Sequence, residues 1–327
     1  MTSKSKLDFL SIASDRVWSQ WMLGGVSELT GIPKKHLRKA FRIVTEPRLE
    51  AEIFRNGEFV KKFFCYGFMS YIVQEKEKKR RIIEPHDDVQ KVYKKVKEWL
   101  EESFDSHEKA FGFVKNRNSK GAANELRPLF FEGGHHFGFD VADAFPSVTD
   151  EMVQRALKSI GVEETVAELL AWFLTYEYQG KRRLPQGASS SPIILNLVYK
   201  PMCEELDRLC RLNGIKWSVY ADDFNFSAKS ISAEVKEELI SVISRFGFKI
   251  KSKKNKDNFG KTIPHLLGLT IVDGKLHIKR KQKKKLRRML YLAKKYEIYS
   301  PEVVRGINNY IGCIYGEKKN WPGWLKI

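Results

Sequence analysis

The stretch WSVYADDFNFS at residues 217–227 constrains this chain more than any other. Trp, Val, Tyr and Phe favour extended backbone, whereas two adjacent aspartates interrupt a strand and suit a turn. The pattern predicts a tight hairpin that presents Asp222 and Asp223 to one bound cation. By itself the pair is weak, since roughly one such dipeptide is expected by chance in a chain of this size. A solvated turn is the alternative, and the surrounding sequence has to decide.

Residues 135–147, HHFGFDVADAFPS, read as a short buried strand ending at Asp140 and turning at Pro146 toward a helix. Thr149 or Asp150 caps that helix and Gly161 stops it. A second helix runs to about Tyr178, Gln179-Gly180 makes a turn, and a loop at 184–192 places Pro192 at the first position of a long helix reaching Gly214. After the hairpin, Ser232 opens a helix ended by Gly247, and residues 248–250 return as a strand. Residues 135–251 therefore read β, αα, α, ββ, α, β, an antiparallel sheet backed by helices. If Asp140 faces Asp222 and Asp223, three carboxylates converge and can hold two Mg²⁺ about 4 Å apart. One ion lowers the pKa of an attacking hydroxyl and the other stabilises the leaving oxygen, which suits phosphoryl transfer in a polymerase or nuclease. Asp143, three positions beyond Asp140, falls in the turn, where helix capping is the expected role.

Upstream, residues 1 to about 70 mix short helical patterns with a Gly24-Gly25 step and a helix start at Gly31-Ile32-Pro33. Residues 68–85 read as a strand pair turning at 75–79. From Asp88 a helix follows, capped by Asp87 or Asp88, with Val89, Val92, Tyr93, Val96, Trp99 and Leu100 at core spacing. Downstream, 265–278 reads as a hairpin turning at Asp273-Gly274. Residues 279–295 hold ten Lys or Arg and no acid, while Leu286, Met289, Leu290 and Ala293 keep a helical apolar face. The whole chain carries 59 Lys and Arg against 40 Asp and Glu, a net charge of +19. A membrane-surface or ribosome-bound protein would match that total, but ten clustered cations favour a nucleic-acid backbone over a solvated helix face. Cys65, Cys203, Cys210 and Cys313 form no CxxC pair and read as reduced core thiols, which with the absence of a signal-like or spanning apolar run predicts a cytoplasmic protein and no membrane partner.

Six segments, RRIIEP (80–85), FGFDVADAF (137–145), LPQGASSSP (184–192), YADD (220–223), GFKIKSKKN (247–255) and LLGL (266–269), resemble in order the fingers and palm motifs of reverse transcriptases. The resemblance implies a right-hand polymerase of α+β class, with fingers, a palm and a helical thumb. It implies Asp140, Asp222 and Asp223 as catalytic acids, and Asp140, Val141, Asp222 and Asp223 as the metal set for two Mg²⁺, with Mn²⁺ possible. Phe145 would exclude a ribose 2′-OH, and Gln186 and Gly187 would shape the nucleotide and template pocket. Arg80, with Arg81 as the competing register, would clamp the triphosphate. Lys254 would donate a proton to the departing pyrophosphate. Strand-edge charge for the arginines, simple core for Phe145 and any of the neighbouring lysines for Lys254 are the alternatives.

Within that family the chain resembles the bacterial retron type: GASSSP, FGFVKNRNSKGAAN (111–124) and RGINNYIGCI (305–314) match its pattern. It departs at 122–126, AANEL in place of NAxxH, and at 266–268, LLG in place of VTG. The implied domains are an N-terminal helical extension at 1–67, fingers at 68–134, a palm at 135–278 with a fingers insertion around 150–190, and a basic thumb at 279–327. The implied partners are dNTPs, a cognate structured non-coding RNA, its DNA product and a separate effector protein in antiphage defence. The RNA would be gripped by Lys279, Arg280, Lys281, Lys283, Lys284, Lys285, Arg287 and Arg288. An intron-derived or abortive-infection reverse transcriptase and an RNA-binding scaffold are the rival readings. His135-His136 lacks zinc-spaced partners and reads as structural, and Phe259-Gly260-Lys261-Thr262 lacks the first glycine of a phosphate loop.

Overall fold

The computed structural model describes residues 18–46, 49–55, 58–64, 66–75, 78–131, 134–251, 256–259, 265–272 and 275–323. Apolar residues at helical spacing give α1 (Trp18–Thr30) and α2 (Lys34–Thr45), and β-prone runs give β1 (Leu49–Arg55), β2 (Glu58–Phe64), β3 (Phe68–Glu75) and β4 (Lys78–Pro85). Next come α3 (Asp87–Ser103), α4 (Ser119–Phe131), β5 (His135–Asp140), the single turn α5 (Ala144–Ser147), α6 (Asp150–Ser159) and α7 (Glu164–Leu174). The chain continues through β6 (Tyr176–Tyr178), β7 (Lys181–Arg183), the long α8 (Ser191–Leu212), β8 (Lys216–Tyr220), β9 (Asp223–Ala228) and α9 (Ala233–Arg245). It ends with β10 (Lys256–Asn258), β11 (His265–Leu266), β12 (Leu269–Val272), β13 (Lys275–Ile278), α10 (Arg280–Tyr296) and α11 (Pro301–Tyr315). No helix among the described residues is long and apolar enough to cross a membrane.

Two compact units result: the described residues of 1–106 with 143–201, and those of 107–142 with 202–327. In the first, Phe41 stacks on Phe173 at 4.4 Å and the buried Tyr93 hydroxyl donates to the Phe173 carbonyl, tying α2, α3 and α7 together. The loop before α8 lies against β4, where the Ile83 amide donates to the Gln186 carbonyl at 2.9 Å. Gly187 sits there at φ +143°, and a Cβ on it would fall 2.6 Å from the Ile83 oxygen. Only glycine permits that approach.

The second unit is built on an antiparallel sheet of order β10-β5-β9-β8. Side chains alternate across a sheet, so Phe137, Phe139, Phe224, Phe226, Trp217 and Val219 share one apolar face. Phe139 stacks on Phe224 at 5.7 Å and Trp217 on Phe226 at 6.2 Å, while the Trp217 indole donates to Asp207 of α8. The opposite face carries His136, Asp140, Asp223, Asn225 and Ser218, and the Ser218 hydroxyl donates to the Ala122 carbonyl of α4. Residues 109–111 extend the sheet beyond β8 through Val219. A second core joins Leu266, Leu269, Leu276 and Ile278 of the small β11-β12-β13 sheet to Leu286, Ile307, Ile311 and Ile314 of α10 and α11.

The sheet backed by helices, the 68–85 strand pair and the caps at Thr149 and Ser232 agree with the sequence. Other expectations are corrected. The helix expected to reach Tyr178 stops at Leu174, because Gln179 and Gly180, both at positive φ, turn β6 back onto β7. Residues 248–250 make one bridge, Val141 with Ile250, and the ladder against β5 belongs to β10. The His86 imidazole, not Asp87 or Asp88, caps α3 by accepting from the Asp88 amide. Asp143 makes no side-chain cap; its carbonyl accepts from Ser147. Gly24-Gly25 lies inside α1, the β1–β2 hairpin occupies part of the stretch read as helical, and β11 adds a third strand to the 265–278 hairpin. Cys203 and Cys210 are buried, but Cys313 is exposed on α11. Cys65, the turn residues 76–77 and 273–274, Lys254 and residues 260–262 lie outside the described residues.

Candidate active site

Asp223 is the first residue of β9 and pairs directly with Asp140, the last residue of β5, so both carboxylates leave the sheet on one face. Tyr220 pairs with Asp223, leaving Ala221-Asp222 as a two-residue turn with Ala221 at φ +59°. The Val141 amide donates to the Asp222 carbonyl at 2.8 Å, and the Lys251 amide to the Asp140 carbonyl at 2.9 Å. Backbone bonds thus fix all three acids against one another, as the sequence leads one to expect.

Two lysines stand on these acids. Lys251 Nζ lies 2.9 Å from Asp222 Oδ2, and Lys256 Nζ lies 2.8 and 3.1 Å from the two oxygens of Asp223. Burial pushes the Asp223 carboxyl above the usual carboxylate range and the Asp140 charge adds to it, while Lys256 and Asn225 pull the other way. Sequence reasoning points to Lys254 with its neighbours Lys249, Lys251, Lys253 and Lys256 as alternatives, and two of those neighbours are the lysines that meet the acids. Among the described residues no three His, Cys, Asp or Glu side chains close into a ready metal cage. The donor chemistry still fits a hard divalent cation: carboxylate oxygens crowded enough to repel, with a carbonyl as all that Val141, buried in hydrocarbon, can offer.

Behind Asp223 runs a chain of side chains that sequence reasoning misses. Asn225 Nδ2 donates to Asp223 Oδ1 at 2.8 Å, and its Oδ1 accepts from His136 Nε2 at 3.0 Å. Asn225 follows Asp223 by two, the strand period, and that spacing is the available signal. His136 is buried and its pKa is pulled down to about 4, chiefly by desolvation. His135 is structural as expected: it accepts from the Ile231 amide and bonds Asp257 at 2.6 Å. Gly112 carries no sequence signal of its role. A Cβ there would lie 2.2 Å from the Ala221 nitrogen, so the backbone at 112 rests against the turn that carries Asp222.

In the other unit the competing arginines separate by face. Arg80 and Ile82 share the side of β4 that meets Gly187, whose added Cβ would lie 3.1 Å from Ile82 Cγ2. Arg81 faces the opposite side, bonding Ser70 at 3.3 Å and lying over Tyr178. Phe145 is half-buried in α5. On α10, Arg280, Lys281, Lys284, Lys285, Arg287 and Arg288 are exposed and Lys279 and Lys283 half-buried, while Leu286 is buried. Among the described residues no acid forms an ion pair with those six exposed cations.

A paired-strand acid site on a helix-backed antiparallel sheet defines the palm of a template-copying polymerase. The chain belongs to the reverse transcriptase family, residues 73–271 matching the family described as Reverse transcriptase (RNA-dependent DNA polymerase). Within that family its similarity is to retron enzymes. It is 28% identical to the retron Ec86 reverse transcriptase of Escherichia coli over 75% of this chain and 76% of that one. Identity to the retron Ec83 enzyme of Escherichia coli is 25%, over 72% and 78%. The retron Mx65 enzyme of Myxococcus xanthus is 29% identical over 56% of this chain and 45% of its own length. Among solved structures, telomerase from Candida albicans aligns over 77% of this chain and 55% of its own, at 10% identity and a TM-score of 0.48. The foamy viral protease-reverse transcriptase with double-stranded DNA aligns over 75% and 36%, at 19% and 0.40. The fold assignment rests on the sheet and the family match, not on these scores.

Proposed function

We propose that this chain copies part of a cognate structured non-coding RNA into single-stranded multicopy DNA left joined to the RNA as a branch, and serves antiphage defence beside a separate effector. The observation that carries the retron assignment is similarity to two retron reverse transcriptases over nearly three-quarters of the chain. In this reading 1–67 is an N-terminal extension, 68–134 the fingers, 135–278 the palm and 279–327 the thumb.

Mg²⁺ or Mn²⁺ held by Asp140, Asp222, Asp223 and the Val141 carbonyl would lower the pKa of the attacking 3′-hydroxyl and stabilise the leaving oxygen. The new bond joins the 3′-oxygen to the α-phosphorus, and the bond to the bridging oxygen breaks as pyrophosphate departs. Lys251 and Lys256 offset the charge of Asp222 and Asp223. Arg80 shares the Gly187 face of β4 and is therefore the better placed of the two arginines to meet a triphosphate. Gln186 and Gly187 shape the nucleotide pocket, Phe145 excludes a 2′-hydroxyl, and Lys254 is the proton donor to pyrophosphate. The exposed cations of α10 hold an RNA stem by its phosphates, since A-form duplexes are read mainly by shape and backbone.

Sequencing the nucleic acid that copurifies with the protein tests the retron assignment. A 2′-linked RNA–DNA junction is expected. Protein-primed or untemplated DNA would point to an abortive-infection enzyme instead, and RNA without DNA to a scaffold.

A further inference from the structure

The β3–β4 hairpin has two faces, and the polymerase reading uses one. Tyr71 with Ile82 and Val73 with Arg80 occupy the Gly187 face; Ser70 with Ile83 and Ile72 with Arg81 occupy the other. That second face closes one side of a cavity of about 260 Å³, walled elsewhere by Trp172, Tyr176 and Tyr178, with the exposed Tyr66 also lining it. A cavity of about 150 Å³ in another protein holds benzene, so this one has room for a larger flat ring.

Its two arginines are in different states. Arg182 is spent: its guanidinium lies 4.6 Å from the Trp172 ring centroid and donates to the carbonyls of Trp172 and Thr175 and to the Thr175 hydroxyl. It stiffens the wall. Arg81 is exposed, stands 5.1 Å from the Tyr178 ring centroid, and makes one hydrogen bond among the described residues, at 3.3 Å to Ser70 Oγ. A guanidinium has five N–H donors, so Arg81 keeps most of its capacity for an anion. Glu177, the acid in the lining, is exposed. Tyr176 and Tyr178 are 6.3 Å apart and tilted by 38°, and Phe68 lies 5.9 Å from Tyr176, so the aromatic wall is continuous.

Aromatic faces take any nucleobase by stacking, and an arginine beside them takes the adjoining phosphate. The geometry points to a second nucleic-acid site: the cavity accepts one unpaired base of a single strand, stacked on Tyr178, with its phosphate on Arg81. Because Arg81 and Arg80 face opposite sides of one strand, this site is separate from that assigned to the incoming nucleotide. The choice of a nucleic acid as ligand rests on the polymerase reading.

The test uses the full chain carrying Asp222→Asn, so that no extension occurs, and a single-stranded oligouridylate with 5-iodouracil at one position. Light should crosslink the base to the peptide holding Tyr178 or Tyr66, in RNA and DNA alike. Yield should fall roughly tenfold in Tyr178→Leu, with thermal melting confirming that the variant is folded. Unlabelled oligouridylate should compete, and an abasic strand of equal length should not. Crosslinks confined to other segments, yield unchanged in Tyr178→Leu, or equal competition by the abasic strand would each overturn the site. Competition by uridine monophosphate as effective as that by the oligonucleotide would overturn the strand assignment in favour of a mononucleotide. Crosslinking needs no synthesis, so a chain that polymerises without crosslinking here loses this site alone.

Discussion

Asp140 and Asp223 are directly opposed register partners on neighbouring antiparallel strands. A slip of one residue would send one of them to the aromatic face. The packed rings Phe139 on Phe224 and Trp217 on Phe226 therefore set the geometry of the acids from the far side of the sheet.

Asp223 is the more encumbered of the neighbouring acids, held by two hydrogen bonds from Lys256 and one from Asn225, whereas Asp222 takes one from Lys251 and is 43% exposed. In the proposed reading Asp140 and Asp222 would each contact both metals, and Asp223 completes the cluster. Asp222→Asn should reduce single-turnover extension of a primed RNA template by about 10³-fold or more, equivalent to roughly 4 kcal/mol in the barrier. Asp223→Asn should cost about tenfold less than that. Equal losses would leave the acid site standing and remove the asymmetry.

Gly112 supports the turn bearing Asp222 from beneath. In Gly112→Ala the new carbon meets the Ala221 backbone nitrogen at 2.2 Å, and backbone cannot swing aside as a side chain can. Overpacking of this kind costs about 1–3 kcal/mol. Extension should fall at least tenfold while dNTP KM changes less than kcat, as measured by steady-state kinetics on one template.

Lys281, Lys284 and Arg288 lie on the side of α10 away from its buried Leu286, so their reversal should spare the core that α10 shares with α11. Lys281→Glu, Lys284→Glu and Arg288→Glu together should abolish selection of the cognate RNA while a generic primed template is still extended. The slope of log affinity against log salt should flatten by roughly 0.7–0.9 for each phosphate that the variant no longer neutralises. Equal loss on both substrates would contradict this division of labour.

Acid should weaken the fold through His136. Its folded pKa of about 4 lies below the ordinary histidine value of 6.5, so the unfolded chain binds the proton more readily. The stability this group contributes is complete above about pH 6.5 and is lost as pH falls toward 4. Urea unfolding at pH 7.5 and pH 5 should differ by about 2 kcal/mol from this group. In His136→Gln that part of the difference should vanish.

What is legible in the sequence is local. Two acids between β-prone flanks fix a turn, and Asp140 ends an aromatic strand, so the acid cluster follows once the strands are paired. The face of the arginines is not local: it needs the β4 register and the Gly187 loop. The β6–β7 hairpin hides because apolar spacing through Phe173 and Leu174 runs on into Tyr176, and β7 reads Lys-Arg-Arg. His136 and Asn225 stand 89 positions apart, and only strand pairing joins them. The backbone approach of Gly112 to Ala221 leaves no side-chain pattern at all.

The polymerase assignment is tested most directly by extension of a DNA primer on an RNA template, comparing the purified full chain with Asp140→Asn. Asp140 joins the cluster from a separate strand, so template-dependent DNA synthesis is expected of the native chain and a loss of about 10³-fold or more of the variant. Synthesis by Asp140→Asn within a few-fold of the native rate would contradict the assignment of the acid site.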